Sequence, residues 1–261
     1  MKVQKLLIKL GGTLLDAPDS RQRLAQEIFA VASLPNRRTV VVHGGGKQMT
    51  RFLAERGVES RFVNGLRVTT DEVIDAVVKV FAGSVNAQLV SSFRAAGARP
   101  VGLSGLSGGL VDAVQLDPAL GHVGKPVASE GRLLELLVKE GYLPVVACVA
   151  GDENGAIFNV NGDQMAVACA QGYHANRLIF LTDVDGVRDA HGKICTHLTV
   201  TEALQLVSSG VATGGMQAKI EAAVSAFQHG VSEVLIAPGS HPGIVTALLS
   251  GSHLGTRCIP G

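Results

Sequence analysis

The sequence predicts an α/β protein, built as a three-layer αβα sandwich around a mainly parallel, open sheet. Two observations lead to this prediction. Short runs rich in Val, Leu and Ile alternate along the chain with segments of helical periodicity, and strands that are joined by helices pair in parallel. Glycines also follow several of these runs, as expected where a strand turns tightly into a helix.

The elements follow one another in a regular order. The predicted strands are VQKLLIKL, TVVVH, RPVGLS, LPVVACV, RLIFLT and EVLIA. Helical periods occupy residues 20–33, 47–56, 164–172 and 242–249. This alternation places helices on both faces of the sheet.

Two further elements are predicted between these strands. A long helix is expected to begin at the capping residues Thr69 and Thr70, and its inward face carries Val73, Val77, Val80, Phe81 and Val85. It could equally be a dimer helix. Between Gly105 and Val123, the alternating run LVDAVQL predicts a β-hairpin over the sheet end that could act as a lid.

Composition excludes several classes of function. The chain has 261 residues, 46% of them hydrophobic and 17% charged, which is enough for one large domain or two small ones. With 23 basic and 22 acidic side chains and 4% aromatic residues, the sequence offers neither a basic patch nor a stacking platform for nucleic acid. Small-molecule chemistry is therefore the default expectation.

Cysteine usage and the N-terminus indicate a cytoplasmic protein. The four cysteines contain no C-x-x-C pair, so neither a zinc site nor a disulfide framework is predicted. The segment MKVQKLLIKLGG is interpreted as a first strand and not as a leader, because Lys9 interrupts its apolar run. No uninterrupted apolar run approaches 18 residues, so no membrane span is expected.

The strongest candidate for chemistry is a lysine between a strand and a glycine turn. Lys9 lies in an apolar strand and is followed by Gly11 and Gly12. In a doubly wound sheet, ligands bind beyond the carboxyl ends of the strands. A second glycine turn, in TVVVHGGGKQM, matches neither common nucleotide motif and fits an anion loop or a tight turn equally well. If the two strands are neighbours, the turns form a phosphate cage; the alternative is an edge-strand lysine that reaches to water.

Polar residues gather at two later turns. In FNVNGDQMAVACA, the alternation of Asn159, Asn161 and Asp163 places them on one side of an extended segment. Asp163 stands where it could hold lysines, although it could also simply cap the next helix. In ATGGMQAKIEAA, Gly214 and Gly215 precede a helix that carries Lys219 near its start, where a lysine is more often a solvated surface residue.

Two more segments suit ligand recognition. The acidic turn LTDVDGVRD would suit the ribose and adenine of a nucleotide, or it is a plain turn of Asp and Gly. Arg67 lies in a loop before the long helix, where it could bind a carboxylate or form a surface charge pair. The eight histidines show no metal-ligand spacing, so no metal site formed by the protein is predicted.

Six segments together resemble the amino acid kinase family. They are KLGG, VHGGG, NGLRVT, NVNGDQ, LTDVDGV and TGGMQAK, in that order over essentially the whole chain. The motifs are most similar to those of members that transfer the γ-phosphoryl group of ATP to the γ-carboxylate of N-acetyl-L-glutamate in arginine biosynthesis. The resemblance implies one amino acid kinase domain, residues 1–261, with an acyl-acceptor half (1–175) and a nucleotide half (176–261).

The resemblance also implies residue roles. Lys9 and Lys219 would neutralise the phosphoryl group in flight, Asp163 would organise both lysines, and Gly12 and Gly45 would donate amide hydrogens. The implied acceptor-binding residues are Gly45, Gly46, Arg67, Asn159 and Asn161. The implied ATP-binding residues are Asp183, Val184, Asp185, Gly186, Val187, Arg188, Val211, Ala212, Thr213, Gly215 and Met216.

The implied chemistry agrees with these residue types. A γ-carboxylate has a reference pKa of about 4.3 and is already ionised at pH 7, so no general base is required. Mg²⁺ is expected on the ATP phosphates and water. Two alternatives stay open: a kinase of N-acetyl-aminoadipate in lysine biosynthesis, whose substrate is longer by one methylene, and a regulatory subunit that binds ATP and an amino acid derivative without chemistry.

Departures from the family pattern lead to further expectations. GLSGLSGG, residues 102–109, lacks the acidic residue expected near the hairpin, which leaves the contacts of a lid open. The chain begins two residues before its first strand, whereas arginine-inhibited members carry an additional N-terminal helix. A homodimer without arginine feedback is therefore expected, with small-molecule substrates, no nucleic acid and no membrane as partners.

Overall fold

The computed structural model describes residues 3–260, so residues 1, 2 and 261 of the predicted domain lie outside the described part. The strands are Gln4–Leu10 (β1), Arg37–His43 (β2), Phe62–Val63 (β3), Leu66–Arg67 (β4), Pro100–Ser104 (β5), Val111–Gln115 (β6), Val123–Ser129 (β7), Leu143–Ala147 (β8), Val149–Gly151 (β9), Ile157–Val160 (β10), Arg177–Thr182 (β11), His197–Thr199 (β12), Glu233–Pro238 (β13) and Thr256–Ile259 (β14).

Helices connect these strands. The α-helices are Pro18–Ala32 (α1), Gly46–Ala54 (α2), Asp71–Val77 (α3), Asn86–Ala95 (α4), Arg132–Lys139 (α5), Gly162–Tyr173 (α6), Val200–Ser208 (α7), Gly214–Gln228 (α8) and Ile244–Leu249 (α9). A π-helix, Val78–Val85, joins α3 to α4 without a break.

An eight-stranded sheet in the order β12-β14-β13-β11-β1-β2-β8-β5 forms the centre of the protein. All of its pairings are parallel except that of β13 with β14. Leu6, Leu7, Ile8 and Leu10 of β1 are completely buried, as expected for a central strand covered on both faces. Helix α1 packs with α4 and α9, while α6 packs with α5 and α8, and the predicted α/β class is confirmed.

The hairpin predicted between Gly105 and Val123 is present but lies within a larger unit. Strands β6 and β7 pair antiparallel and close into a small four-stranded barrel with β9 and β10. Its inward residues Val111, Ala113 and Val123 are buried. The role of this hairpin as a lid stays a prediction.

The long helix begins where the sequence predicts. The Thr70 hydroxyl accepts a hydrogen bond from the Val73 amide at 3.4 Å, and all five predicted inward residues are buried. Its π-helical middle was not predicted, because hydrophobic periodicity over one or two turns does not separate the two helix types.

The length and composition of the same helix are relevant to the prediction that no segment spans a membrane. By length and composition alone, Asp71–Ala95 would suffice to cross a membrane, and 44% of its most apolar window is buried inside the protein. The sequence reasoning considered only uninterrupted apolar runs and therefore missed this helix. Core helices of globular proteins meet the same criterion, so the helix alone does not indicate a membrane.

One local expectation is corrected, and one hairpin was not predicted. The predicted strand LPVVACV is divided at Cys148 into β8 and β9, so the chain passes there from the main sheet into the small barrel. The hairpin of β3 and β4 was not predicted, although its turn residues Asn64 and Gly65 both have positive φ, 49° and 78°. An Asn-Gly pair in this conformation is the usual signal of a two-residue hairpin turn.

Candidate active site

The two glycine turns lie side by side at the carboxyl ends of β1 and β2. The strands are parallel neighbours, with Lys9 opposite Val42, as the phosphate-cage interpretation requires. A Cβ atom on Gly12 would lie 2.9 Å from the Gly46 amide nitrogen. No side chain larger than hydrogen fits at residue 12 unless the backbone shifts. Glycine at this position therefore lets the backbone amide groups of the two glycine turns approach each other.

One buried carboxylate lies between the two candidate lysines. Asp163 is 5% exposed, and its Oδ1 lies 2.8 Å from Lys9 Nζ while its Oδ2 lies 3.3 Å from Lys219 Nζ. Lys219 donates a hydrogen bond to this carboxylate. The Lys9 contact is a close ion pair outside hydrogen-bond angles. Lys9 and Lys219, which the sequence singled out, thus both contact Asp163, the third residue that it singled out.

The charges around Asp163 keep it ionised. Burial alone would raise the pKa of this carboxyl group, but the positive charges of Lys9 and Lys219 outweigh burial and hold its pKa below the usual range. The cluster of one carboxylate and two ammonium groups carries a net charge of about +1 at pH 7. A site of this kind attracts phosphate and carboxylate groups.

The cap of α6 corrects the sequence interpretation of Asp163. Asn161 is the N-cap, and its Oδ1 accepts hydrogen bonds from the amides of Asp163 at 2.9 Å and Gln164 at 3.3 Å. The extended segment ends at Val160, so Asn159, Asn161 and Asp163 do not share one strand face. Because Asn161 supplies the cap, the Asp163 carboxylate is free to pair with the lysines.

Arg67 does not lie in a loop, as the sequence predicted, but is a buried residue of β4, which argues against the alternative of a surface charge pair. It is 8% exposed and donates to Thr50 Oγ1 at 2.7 Å, to the Gly46 carbonyl at 3.2 Å and to the Ser60 hydroxyl. Burial lowers the pKa of its guanidinium group. The contact with Gly46 fixes this arginine against the second glycine turn.

Asn159 connects to Arg67 through a threonine. Asn159 Nδ2 donates to Thr69 Oγ1 at 3.1 Å, and the Thr69 hydroxyl donates to the Arg67 carbonyl at 2.8 Å. Arg67 also lines a cavity of about 460 Å³ together with Gly46 and the exposed Phe62. Of the predicted acceptor residues, Gly46, Arg67 and Asn159 are therefore connected by one chain of hydrogen bonds, whereas Asn161 lines a different cavity.

A larger cavity of about 630 Å³ opens beside the charged cluster. Asn161, Asp163 and Lys219 line it, together with the hairpin turn at residues 64–66 and residues 125–128 of β7. The sequence analysis did not single out the hairpin or Lys125 as site residues. The Asn-Gly pair could have revealed the hairpin, whereas no local signal marks Lys125.

The predicted nucleotide residues occupy two loops. Residues 183–188 follow β11 and residues 211–213 precede α8. Gly186 and Val187 are buried, and the Val187 amide donates to Thr256 Oγ1 at 2.8 Å. Asp183, Val184, Asp185, Arg188, Val211 and Thr213 are exposed, Ala212 is buried and Met216 is half-buried. Of this whole set, Gly215 alone lines the larger cavity.

Within residues 3–260, no group of three or more His, Cys, Asp or Glu side chains is arranged to hold a metal ion. The four cysteines, Cys148, Cys169, Cys195 and Cys258, are free thiols. The site therefore consists of lysines, a carboxylate, amides and backbone N–H groups, a set suited to binding phosphate oxygens.

Comparison with known sequences identifies acetylglutamate kinases as relatives of this chain. The acetylglutamate kinase of Solibacter usitatus (strain Ellin6076) is 57% identical over 255 residues, which cover 98% of this chain and 99% of that protein. The acetylglutamate kinase of Actinobacillus succinogenes is 38% identical over 99% of this chain and the whole of that protein.

Solved structures share the fold. The N-acetylglutamate synthase of Neisseria gonorrhoeae superimposes with a TM-score of 0.88 at 24% identity, over 99% of this chain and 60% of that one. A protein of Streptococcus mutans UA159 superimposes with a TM-score of 0.82 at 26% identity, over 98% of both chains. The sequence profile described as the amino acid kinase family matches residues 4–238, and the chain belongs to that family.

Proposed function

We propose that this protein transfers the γ-phosphoryl group of ATP to the γ-carboxylate of N-acetyl-L-glutamate, a step of arginine biosynthesis. The observation that supports this most directly is the contact of Lys9 and Lys219 with one buried carboxylate, Asp163, beside two glycine turns. The acetylglutamate kinase of Solibacter usitatus (strain Ellin6076) is 57% identical to this chain over nearly its whole length.

In the proposed reaction a carboxylate oxygen of the acceptor attacks the γ-phosphorus. The bond between that phosphorus and the oxygen bridging to the β-phosphate breaks, and the electron pair leaves with ADP. The products are an acyl phosphate and ADP. No proton is transferred in this step, because the acceptor is already ionised at pH 7.

The barrier arises from bringing an anion to another anion. Positioned cations and amide dipoles reduce this repulsion, and they are the main contribution of a protein to phosphoryl transfer. Lys9 and Lys219 would cancel charge on the transferred group, while the amides of Gly12 and Gly45 would bind its oxygens. Asp163 would keep the two ammonium groups close together without itself touching the phosphoryl group.

The remaining predicted residues would hold the two substrates. Arg67, Asn159 and Asn161, with Gly45 and Gly46, would bind the α-carboxylate and N-acetyl ends of the acceptor. The loops at 183–188 and 211–216 would bind ATP in a nucleotide half, residues 176–261, opposite an acceptor half, residues 1–175. Backbone N–H groups at the start of the 15-residue helix α8 favour a phosphate nearby.

Mg²⁺ would accompany ATP as its counter-ion. The described residues provide no cluster of metal-ligating side chains, which fits an ion held by phosphate oxygens and water, since Mg²⁺ loses its water reluctantly. Its charge would add to that of the lysines at the phosphates.

We also propose a cytoplasmic homodimer. Ile74, Val78 and Val90 of the helix Asp71–Ala95 are only partly buried within one chain, and a second copy packed against this helix would cover them. Light scattering coupled to gel filtration would measure a mass of twice 27.0 kDa. A single-chain mass at micromolar concentration would refute the dimer without affecting the proposed reaction.

An ATP-dependent hydroxamate assay, which traps acyl phosphates, tests the reaction. The acids are N-acetyl-L-glutamate, N-acetyl-L-aminoadipate and unacetylated glutamate, with Lys9→Ala and Lys219→Ala as controls. We expect the highest rate with N-acetyl-L-glutamate and its collapse in both variants. A preference for N-acetyl-L-aminoadipate would move the enzyme to lysine biosynthesis, and no acyl phosphate from any acid would refute the kinase proposal.

A further inference from the structure

The glycine turn after β2 is held by a buried histidine that the proposed reaction does not use. His43 is the last residue of β2, immediately before Gly44–Gly46, and its side chain is 0% exposed. Its Nδ1 lies 2.9 Å from the Gly44 carbonyl oxygen, and its Nε2 lies 2.9 Å from Asn86 Nδ2. Both ring nitrogens therefore have partners.

The hydrogen bonds define the state of this ring. Asn86 Nδ2 also donates to the Val145 carbonyl at 2.9 Å, which fixes the orientation of the amide, so His43 Nε2 must be the acceptor. The proton then lies on Nδ1 and is donated to Gly44. Burial lowers the pKa of His43 to about 4, although the Gly44 carbonyl opposes the shift. The ring is neutral at pH 7.

Asn86 attaches the long helix to the sheet at this point. It is 5% exposed and is the first residue of α4, directly after the π-helix. In a π-helix, hydrogen bonds run between residues five apart, so Phe81 and Asn86 fall on one face. A Cβ on Gly45 would lie 2.9 Å from Phe81 Cδ1 and 3.2 Å from Val85 Cγ2.

The π-helical turn therefore brings two kinds of contact to the same three glycines. Phe81 and Val85 pack directly against Gly45, and Asn86 fixes the His43 ring that holds Gly44. Polar groups this deeply buried, with both His43 ring nitrogens and the Asn86 amide nitrogen hydrogen-bonded, favour one geometry. π-Helical segments are frequently found at functional sites.

We infer that His43 and Asn86 are positioning residues that hold the Gly44–Gly46 turn in the geometry needed for phosphoryl transfer. They would touch neither substrate and would act through the turn. This inference rests on the proposed function of that turn. A displacement of about 1 Å in a reacting group lowers turnover by about 10²-fold, so losing the network should lower kcat roughly 10- to 100-fold while ATP affinity is retained.

The first test compares His43→Leu and Asn86→Leu with Phe93→Leu in the hydroxamate assay. Phe93 is also completely buried and lies on α4, two turns beyond Asn86, so its variant controls for a general loss of core packing. We expect kcat to fall roughly 10- to 100-fold in the first two variants, while the Kd for ATP, measured by calorimetry, changes less than twofold. If kcat in His43→Leu and Asn86→Leu falls no further than in Phe93→Leu, the inference is overturned.

A second variant keeps the shape of the network and changes its charge. In Asn86→Asp, the carboxylate accepts from His43 Nε2 while Nδ1 still donates to Gly44, so the doubly protonated ring is favoured and its pKa rises. When the pH rises through that new pKa, the His43 ring loses one of its two protons. It can then donate either to the introduced carboxylate or to the Gly44 carbonyl, but not to both. The activity of this variant should therefore fall as pH rises between about 5 and 8, where the wild type is flat. The variant also loses the amide donor to the Val145 carbonyl, so its pH profile is normalised to its own activity at low pH before it is compared with that of the wild type.

A titratable group near His43, the Cys148 thiol, does not complicate this readout. The Cys148 thiol donates to the His43 carbonyl at 2.9 Å, and burial raises its pKa to about 12, so it stays neutral throughout. A pH profile of Asn86→Asp that superimposes on the wild type would overturn the inference. A wild-type protein that forms no acyl phosphate would instead refute the proposed function, so the two failures are distinguishable.

Discussion

Replacing Asp163 by Asn removes one charge from the centre of the site without changing its shape. At distances of 2.8 and 3.3 Å, Coulomb's law with an effective dielectric constant of about 20 gives about 6 and about 5 kcal/mol of attraction to Lys9 and Lys219. Removing the charge also removes the cost of burying it. The expected net loss in free energy of unfolding is therefore about 3–5 kcal/mol, as found when one partner of a buried pair is deleted.

Urea unfolding of the wild type and of Asp163→Asn between pH 2.5 and 7 measures this difference. The folded-state pKa of Asp163 lies below its ordinary value, so its contribution is complete above about pH 4 and is lost as the pH falls through the folded pKa. The stability gap should narrow by up to about 1.4 kcal/mol per pH unit in that window. Above pH 4 it should be constant.

An exposed ion pair provides the matched control. Asp16 pairs with Arg51 at 2.5 Å, but the two side chains are 34% and 59% exposed, so Asp16→Asn should cost about 0–1 kcal/mol. If Asp163→Asn costs no more than Asp16→Asn, or if its gap does not narrow on acidification, the electrostatic account of the cluster is wrong.

Four further results are expected. Lys219→Met should lower kcat in the hydroxamate assay by about 10²-fold or more, and a kcat within threefold of the wild type would contradict its role. Gly12→Ala should lower kcat at least about tenfold, because the added Cβ would lie 2.9 Å from the Gly46 amide nitrogen and push the two glycine turns apart. A kcat equal to that of the wild type would show that phosphoryl transfer does not require this close approach of the two turns. Arg67→Lys should raise KM for the acceptor more than KM for ATP, because Lys cannot reproduce its forked donors, and equal changes in both constants would argue against acceptor binding. Wild-type kcat should be independent of pH between about 5.5 and 8, because His43 has a pKa of about 4 and the acceptor is ionised; a rise with a midpoint near 6.5 would indicate a catalytic histidine.

The sequence predicts most of the sheet because the strands are buried on both faces. Runs such as RLIFLT and EVLIA each contain four consecutive apolar residues, and they form β11 and β13 within one residue of the expected bounds. Their burial leaves little competition between local preference and tertiary packing. The α/β class depends on the alternation of these runs with helical segments, so the loop errors do not affect it.

Where the structure differs from the sequence prediction, distant residues decide the local outcome. Asn161 and Asp163 are both good caps, and Asp163 lies in the first turn of α6 with its carboxylate directed to Lys9 and Lys219 from two other elements. Similarly, Arg67 can be buried because Thr50 Oγ1 and the Gly46 carbonyl of α2 accept hydrogen bonds from its guanidinium group. No residue next to Asp163 or Arg67 in the sequence indicates these partners.

The placement of Asp163 also explains how two lysines can share so small a space. Two ammonium groups brought to one phosphoryl group would repel each other, and burying them singly would cost several kcal/mol each. One carboxylate that contacts both offsets this cost with a single negative charge, and the cluster keeps a net charge of about +1 toward an incoming anion. A second carboxylate in contact with the lysines would bring the net charge of the cluster to zero. With Asp163 as the single carboxylate, one positive charge stays available for the phosphoryl group. The buried Asp163 thus stabilises the two lysines before substrate binds and neutralises only one of their two positive charges.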